Sequence, residues 1–244
     1  MDDLRLFRGL PYVINDYVEV HNPSLAEIVD FGEEEYWSIV VNICSTSFDH
    51  RLDLEEVGVD YLEIGDYEMF YNMCRGFDYD KTKILIPTID FSKLIVCENE
   101  DTGQIVLCNL DGEIVFSEPD YYKMVEFIRN CHGLERNYKI PGNNTAREIY
   151  MREAREDRMY AGRKNFKSVL APMVSAMCNI EGFKYNFDTV WDLNIYTFMD
   201  ATKRIQKIKA SNALLSGIYG GMVDTSKMSK AQLNKDLNWL GPLE

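Results

Sequence analysis

The chain has 244 residues, a net charge of −14 and 46% apolar residues, and these values exclude several classes of protein. A chain of this length buries about 70–75% of the surface that its unfolded form exposes, so we expect a substantial core. No apolar run approaches the roughly 20 residues that a membrane-spanning helix needs. The acidic start MDDLRLFRG also lacks the basic and apolar regions of a secretory signal peptide. We therefore expect a soluble protein that remains in the cytoplasm.

The residues that could carry out chemistry are scattered. The six cysteines form no CxxC pair and mostly sit among apolar neighbours, which predicts free, buried thiols. His21, His50 and His132 are isolated from one another and from any spacing typical of a metal site. An enzyme would need a cleft that brings His50, Cys44 and acidic residues together. We expect no catalytic residue, no metal and no cofactor.

No reactive sequence motif changes this expectation. The chain contains no GxSxG, P-loop, GxGxxG or HExxH motif. Residues 217–221, GIYGG, lack the preceding strand and the lysine of a phosphate loop, and we interpret them as the end of a helix. The acid pairs Asp78 with Asp80 and Asp111 with Glu113 provide too few oxygens for a cation. In so acidic a chain, chance explains such pairs.

Charge is distributed unevenly along the chain. Residues 1–122 contain 7 Lys and Arg against 27 Asp and Glu, a net charge of −20, whereas residues 123–244 contain 19 against 13, a net charge of +6. One interpretation is an acidic surface that maintains solubility. The other is head-to-tail self-association, in which the acidic part of one copy contacts the basic part of the next. Nucleic-acid binding is unlikely at a pI near 4.7.

The N-terminal region predicts a β-hairpin followed by two helices. Residues 10–21, LPYVINDYVEVH, contain two short alternating runs around Asn15 and Asp16. Ser24 and Glu27 have the spacing of a capping box, which begins a short helix that ends at Gly32. The three glutamates that follow favour the first turn of a second helix.

The sequence period changes between residues 93 and 117. Three short β-rich runs, KLIVCE, QIVLCN and EIVFS, are separated by turn residues at 99–103 and 110–112. We predict a three-stranded antiparallel meander. Pro119 and Gly133 mark the start and the end of the helix that follows.

A linker candidate divides the chain into two parts. Residues 134–144, LERNYKIPGNN, combine turn residues with a loss of apolar periodicity. We predict an acidic mixed α/β domain at residues 1–140 and a basic helical domain at residues 141–244. Residues 145–164 predict a charged helix, either solvated or buried against another chain. The predicted fold class is α+β, mostly α-helical, with an N-terminal β-hairpin and a small antiparallel meander inserted among helices.

The most informative helix is predicted at residues 194–219. One stripe at helical spacing is expected to be core: Phe198, Ala201, Ile205, Ile208, Leu215 and Tyr219. The opposite face carries Tyr196, Lys203, Lys207 and Leu214, an aromatic, cationic and aliphatic strip suited to a partner helix. Trp239, in a tail after a short helix, is either packed down or an anchor for a partner. These five residues are the predicted partner-binding site.

Both ends of the chain resemble the tail assembly chaperones of long-tailed bacteriophages and prophages of Gram-positive bacteria. The N-terminal resemblance is carried by RGLPYVINDYVEVHNPSLAEIVDFGEEEYW. The C-terminal resemblance is carried by EGFKYN, TVWDL, IYTFMDATKRIQKIK, GIYGG and LNWLG. The resemblance implies a non-enzymatic protein of the infected host cytoplasm that coats the tape measure protein until tail tube proteins replace it. It also implies reversible binding through the strip described above.

Two alternatives remain at this stage. A structural protein of the virion, in the neck, tail or tail tip, would share the phage context and would be present in purified particles. An acidic regulatory adaptor that binds a basic host protein would depend on residues 1–122 alone, and its binding would fall steeply with salt.

Overall fold

The computed structural model describes residues 3–99, 102–112, 114–161 and 165–243. In this part of the chain the helices are α1 (Asp3–Phe7), α2 (Leu25–Phe31), α3 (Glu33–Cys44), α4 (Arg51–Glu56), α5 (Asp66–Met73), α6 (Tyr79–Thr82), α7 (Glu118–His132), α8 (Asn144–Ala161), α9 (Leu170–Asn179), α10 (Ile195–Tyr219) and α11 (Lys230–Leu237). The strands are β1 (Tyr12–Val13), β2 (Glu19–Val20), β3 (Ile95–Glu98), β4 (Ile105–Cys108) and β5 (Val115–Ser117). The predicted class is confirmed: a mostly helical chain contains an N-terminal hairpin and an antiparallel meander.

Asn15 shapes the loop of the N-terminal hairpin. β1 and β2 are antiparallel, with Tyr12 opposite Val20. The side-chain oxygen of Asn15 accepts hydrogen bonds from the main-chain N–H groups of Tyr17 and Val18, both at 2.9 Å. Residues 14–18 connect the strands, so the loop is longer than a two-residue turn, and Asn15 stabilises it by accepting from the main chain that follows.

A capping box and one glycine organise the next two helices. Ser24 Oγ accepts from the Glu27 N–H at 3.2 Å, and Glu27 Oε2 accepts from the Ser24 N–H at 2.7 Å, as predicted. Gly32, at φ 105°, separates α2 from α3 in a conformation that L side chains rarely adopt. α3 then buries Tyr36, Ile39, Val40, Ile43 and Cys44.

The meander joins two of the cysteines. β4 is the central strand and is antiparallel to β3 and β5. Cys97 lies opposite Val106, two residues from Cys108, so both sulfurs project from the same face of the sheet. Cys97 and Cys108 form a disulfide with their Cα atoms 6.5 Å apart. The expectation of free thiols is therefore wrong for this pair. Glu100 and Asp101 of the predicted first turn lie outside the described residues.

One hydrophobic core takes residues from both predicted domains. Phe127 of α7, Val174 of α9 and Phe198 of α10 belong to the same buried cluster as Tyr36 of α3. The core therefore crosses the linker candidate at residues 134–144. The division into residues 1–140 and 141–244 stays a prediction.

The charged helix α8 packs against α4 of its own chain. Met151 is buried in a small cluster with residues of the α4 region. Arg155 and Glu55 form an ion pair at 2.7 Å, and Arg158 and Glu56 form another at 2.7 Å. α8 is therefore neither fully solvated nor dependent on another chain for its burial. Residues 162–164, the predicted end of this helix, lie outside the described residues.

Candidate functional site

The first half of α10 is anchored in the body of the protein. Asn194 caps the helix, because its side-chain oxygen accepts from the Thr197 N–H at 2.9 Å. Ile195 and Phe198 are completely buried, and Ile205 packs against the same core. A helix of 25 residues is about 37 Å long, so α10 is long enough to extend beyond the core that anchors it.

The second half of α10 leaves the core. Leu215 is 40% exposed and Tyr219 is 84% exposed, so the prediction that both belong to the core is wrong. The stripe at helical spacing is continuous, but in the described residues Ile205 is its last member that packs against the core. α11 packs against α10, and Ser211 in the second half of α10 contacts Leu237 at the end of α11.

Glycines at the end of α10 turn the chain back along the helix. Gly221 has φ 68°, and the Met222 N–H donates to the carbonyl of Gly217 at 2.9 Å. A Cβ at Gly217 would lie 2.8 Å from Cγ2 of Val223, so the returning chain needs a residue without a side chain there. Residues 224–243, which include α11, then run along α10. We call this segment the C-terminal strap.

Three side chains of α10 hold the C-terminal strap. Nη1 of Arg204 donates to the carbonyls of Trp239 and Gly241, both at 2.7 Å. Lys207 Nζ donates to the carbonyl of Pro242 at 2.7 Å. Ser211 Oγ donates at 2.9 Å to the carbonyl of Leu237, the last residue of α11, and Ser211 is only 4% exposed. The acceptors in these bonds are all main-chain carbonyls.

A groove runs along α10 beside the C-terminal strap. A cavity of about 680 Å³ is lined by Lys207, Leu214 and neighbouring residues of α10, and by residues of the strap. A second cavity, of about 300 Å³, adjoins it near Tyr196. Lys203 and Leu243 line both cavities, so the two form one groove, which we call the α10 groove.

Four of the five predicted site residues line the α10 groove, and the fifth does not. Tyr196, Lys203, Lys207 and Leu214 are brought together along the helix. Trp239 lies in the C-terminal strap, 43% exposed, and does not line either cavity. The sequence reasoning therefore located one face of the helix but did not foresee that the tail lies beside it.

Arg204 and Ser211 were missed as functional residues. With Lys207 they have the spacing i, i+3 and i+7, which places the three on one side of a helix. That spacing was available in the sequence. Their acceptors were not, because the carbonyls of Trp239 and Gly241 lie 35 and 37 residues further along the chain.

The α10 groove combines an apolar floor with positive charge. Three lysines, Lys203, Lys207 and Lys235, line the larger cavity against one acidic residue, Asp236. Ala210, Leu214 and Leu243 supply apolar surface. Acidic side chains lie at the edges, from Glu126 and Asp200 near Tyr196 and from Asp236 of the strap. Such a surface suits an amphipathic segment that also carries negative charge.

The residues considered for nucleophilic chemistry have other roles. Burial raises the pKa of the Cys44 thiol to about 12, although Arg129 nearby acts to lower it, so the thiol is protonated at neutral pH. His50 Nε2 lies 2.9 Å from Ser45 Oγ. Burial lowers the pKa of His132 to about 4. Cys44 and His132 are therefore buried, uncharged groups, whereas His50 is partly exposed and lies 3.5 Å from Asp53.

The predicted acid pairs do not form a cation site in the described residues. The Asp78 carboxylate accepts from the Asp80 N–H at 3.0 Å and caps α6. Glu113 lies outside the described residues. Within the described ranges, no three His, Cys, Asp or Glu side chains are grouped to hold a metal ion, and no helix is long and apolar enough to cross a membrane.

Comparison with known proteins finds a family model that matches the segment containing α10. Residues 163–241 match the family model described as the YomV second domain, a phage-derived family similar to the YomV protein of a Bacillus prophage. No curated protein and no solved structure matches the chain. The matched segment contains α9, α10 and α11. This part of the chain is thus similar to a domain from phage.

Proposed function

We propose that this protein is a non-enzymatic phage tail assembly chaperone that acts in the cytoplasm of the infected bacterial host. It binds the tape measure protein and helps to recruit tail tube subunits. The observation that carries the proposal is the α10 groove, in which Tyr196, Lys203, Lys207 and Leu214 line one open surface. The similarity of residues 163–241 to a phage-derived domain supports the phage context.

The chemistry of the α10 groove favours an amphipathic helix as the partner. Ala210 and Leu214 of α10 offer apolar contact, and Lys203 offers a cation to an acidic flank. Helices of this kind dock into grooves through residues at i, i+3, i+4 and i+7. A protein that covers such helices keeps them from aggregating until the tube subunits replace it. The chemistry requires only binding and release, so we propose no cofactor and no reaction.

Self-association is a further part of the proposal. Some of the opposite charge is neutralised inside one chain, where α8 pairs with α4 through Arg155 and Arg158. The cations of α10 take no part in these ion pairs. The net charge of −20 on residues 1–122 is also much larger than the charge that the ion pairs neutralise. Head-to-tail contacts between copies would extend along the tape measure. Neither a membrane nor nucleic acid is required.

The partner surface is tested by reversing charge in the α10 groove. The double substitution Lys203→Glu and Lys207→Glu should lower the amount of co-purified tape measure protein about tenfold, because it places two like charges against the acidic flank of the partner. Lys207→Glu also removes the bond to Pro242, so Lys203→Glu alone is measured in parallel. Lys209→Glu, an exposed cation on the same helix, is the matched control. Unchanged co-purification and tail formation would contradict the proposal.

Mass spectrometry separates the proposal from its alternatives. A chaperone should be absent from purified particles and should capture tape measure and tube proteins from cells during assembly. Stoichiometric presence in particles would instead make the protein a structural component of the neck, tail or tail tip. Capture of a basic host protein that is insensitive to the α10 substitutions would favour the acidic adaptor.

A further inference from the structure

The C-terminal strap is bound to α10 in a way that another helix could reproduce. Arg204, Lys207 and Ser211 donate to the carbonyls of Leu237, Trp239, Gly241 and Pro242. None of these bonds involves a side chain of the strap. Because every residue offers a main-chain carbonyl, this recognition depends on the position of the carbonyls and hardly on the sequence that carries them.

One of these carbonyls belongs to the end of a helix, and the other three lie in the short segment that follows it. The last four carbonyls of an α-helix have no partner within the helix, and cations stabilise this negative end of the helix dipole. Ser211 contacts the carbonyl of the last residue of α11, and Arg204 and Lys207 contact the carbonyls just beyond it. Ser211 thus binds the end of a helix, and Arg204 and Lys207 bind the short segment that follows it. Together the three α10 side chains form a receptor for a helix end and its C-terminal extension.

The C-terminal strap contributes few buried apolar side chains. α11 has no buried residue, and Leu233 and Leu237 are only partly buried. Trp239 and Leu240 are 43% and 75% exposed. Elements with few buried apolar contacts are the ones that open first in a native protein.

We propose that the C-terminal strap is an internal occupant of this receptor, and that a partner helix docks by displacing it. The last carbonyl of the partner's helix then accepts from Ser211, and the carbonyls just beyond it accept from Arg204 and Lys207. The partner's apolar side chains lie along Ala210 and Leu214 of α10. The strap runs antiparallel to α10, so it also gives the orientation of the partner. The receptor itself follows from the strap contacts, and only the identity of the partner as the tape measure protein rests on the proposed function.

The receptor is tested with the strap as a separate peptide. The probe is a fluorescently labelled synthetic peptide of residues 224–244, and binding is measured by anisotropy. The target is the full-length chain carrying Leu233→Ser and Leu237→Ser, which weakens the chain's own strap and leaves every α10 residue in place. The peptide should bind this target at least about tenfold more tightly than the wild-type chain, whose receptor is occupied. Equal binding to both chains, or no binding to either, would overturn the inference.

Two further variants make the result specific. Asn234→Pro interrupts α11 by a different route and should release the strap in the same way. Hydrogen exchange should show faster exchange in α11 of either variant and unchanged exchange in α7, which demonstrates that the body stays folded. Adding Arg204→Ala to the released chain should remove most of the peptide binding, whereas Lys209→Ala should not. If the peptide still binds after Arg204→Ala, the inference that these α10 side chains form a receptor is wrong.

The helix-end chemistry and the identity of the partner are tested separately. An unrelated helical peptide with the same spacing of apolar residues, and with a C-terminal extension as long as that of the strap, should compete with the strap peptide. Its version with a central proline should not. If a tape measure fragment fails to compete in that assay, the proposed function fails and the receptor stands. If the fragment binds the wild-type and released chains equally well, the displacement inference is overturned and the proposed function stands.

Discussion

At the scale of single residues, His132 shows how the core fixes a protonation state. Its Nδ1 lies 2.6 Å from the carbonyl of Ile128, which can only accept, so Nδ1 carries the proton. Nε2 is then the acceptor for the hydroxyl of Tyr36. The imidazole is neutral, and burial lowers its pKa to about 4. His132 is therefore buried in the core in its neutral form.

The neutral state of His132 predicts a pH dependence of stability. Because the pKa falls from 6.5 in the unfolded chain to about 4 in the folded one, the unfolded chain binds more protons between these values. Stability is therefore lost as the pH falls from 6.5 towards 4, by up to about 1.4 kcal/mol per pH unit from this group. Nitrogen NMR of the imidazole should show the Nδ1–H tautomer still present at a pH of about 5.5. Titration of His132 near 6.5 would contradict the buried, neutral state.

Glu33 ties the start of α9 to the start of α3. Its carboxylate accepts from Ser168 Oγ at 2.5 Å and from the N–H groups of Val169 and Leu170 at 2.8 Å. Burial acts to raise the pKa of Glu33, but the hydrogen bonds from Ser168, Leu170 and Val169 outweigh it, so the pKa lies below its usual 4.5. The carboxylate thus serves as the cap of a helix far away in the sequence.

We predict that Glu33→Gln lowers the free energy of unfolding by about 1.5–3 kcal/mol at neutral pH, the usual contribution of hydrogen bonds to a charged group. A lowered folded pKa gives stability that is present above 4.5 and is lost as the pH falls through the folded value. The difference between wild type and variant should therefore shrink in acid. Urea unfolding at neutral and acidic pH measures it, with the exposed neighbour Glu34→Gln as the control. An equal loss at both values would contradict the role of the charge.

Residue-level features were predictable from the sequence where they are local. The capping box of Ser24 and Glu27 spans three residues, and the cap at Gly133 follows its helix directly. The contact between Glu33 and Ser168 spans 135 residues, and no local pattern distinguishes Glu33 from its acidic neighbours. The Cys97–Cys108 disulfide was missed for a related reason, since it depends on the register of two strands.

At the scale of elements, α10 shows where periodicity succeeds and where it stops. The sequence correctly predicted a helix that starts after Asn194 and separated its apolar stripe from the strip that lines the α10 groove. It could not show where the body beneath the helix ends, because the apolar spacing continues unchanged through Leu215 and Tyr219. Apolar periodicity shows which face of a helix is apolar. It does not show how far along the helix that face is covered by the rest of the protein.

The two halves of α10 should respond differently to the loss of apolar side chains. Leu215→Ser with Tyr219→Ser should change the free energy of unfolding by less than about 0.5 kcal/mol, because both side chains are exposed. Phe198→Ala removes a completely buried ring and should cost about 3–5 kcal/mol. Thermal or urea unfolding measures both. A large loss in the first variant would mean that the outer half of α10 is buried, for example by a second copy.

At the scale of the whole molecule, packing joins the acidic and basic parts that composition separates. α8 lies on α4 through ion pairs of Arg155 and Arg158, so part of the charge asymmetry is resolved within one chain. The core cluster takes Val174 and Phe198 from the basic part and Tyr36 and Phe91 from the acidic part. Composition could predict the two parts, but the contacts between them depend on the three-dimensional fold.

A core shared by both parts predicts a single unfolding transition. Trp37 on α3 and Trp191 before α10 are both partly buried against that core, so each reports on one part of it. With Trp239→Phe removing the tryptophan of the strap, Trp37→Phe and Trp191→Phe each leave one reporter. The two fluorescence midpoints in urea should coincide with each other and with the loss of helical circular dichroism, because removal of either part exposes the core of the other. If Trp191 reports a transition well before Trp37, residues 141–244 unfold on their own, and the division near residue 140 is a true domain boundary.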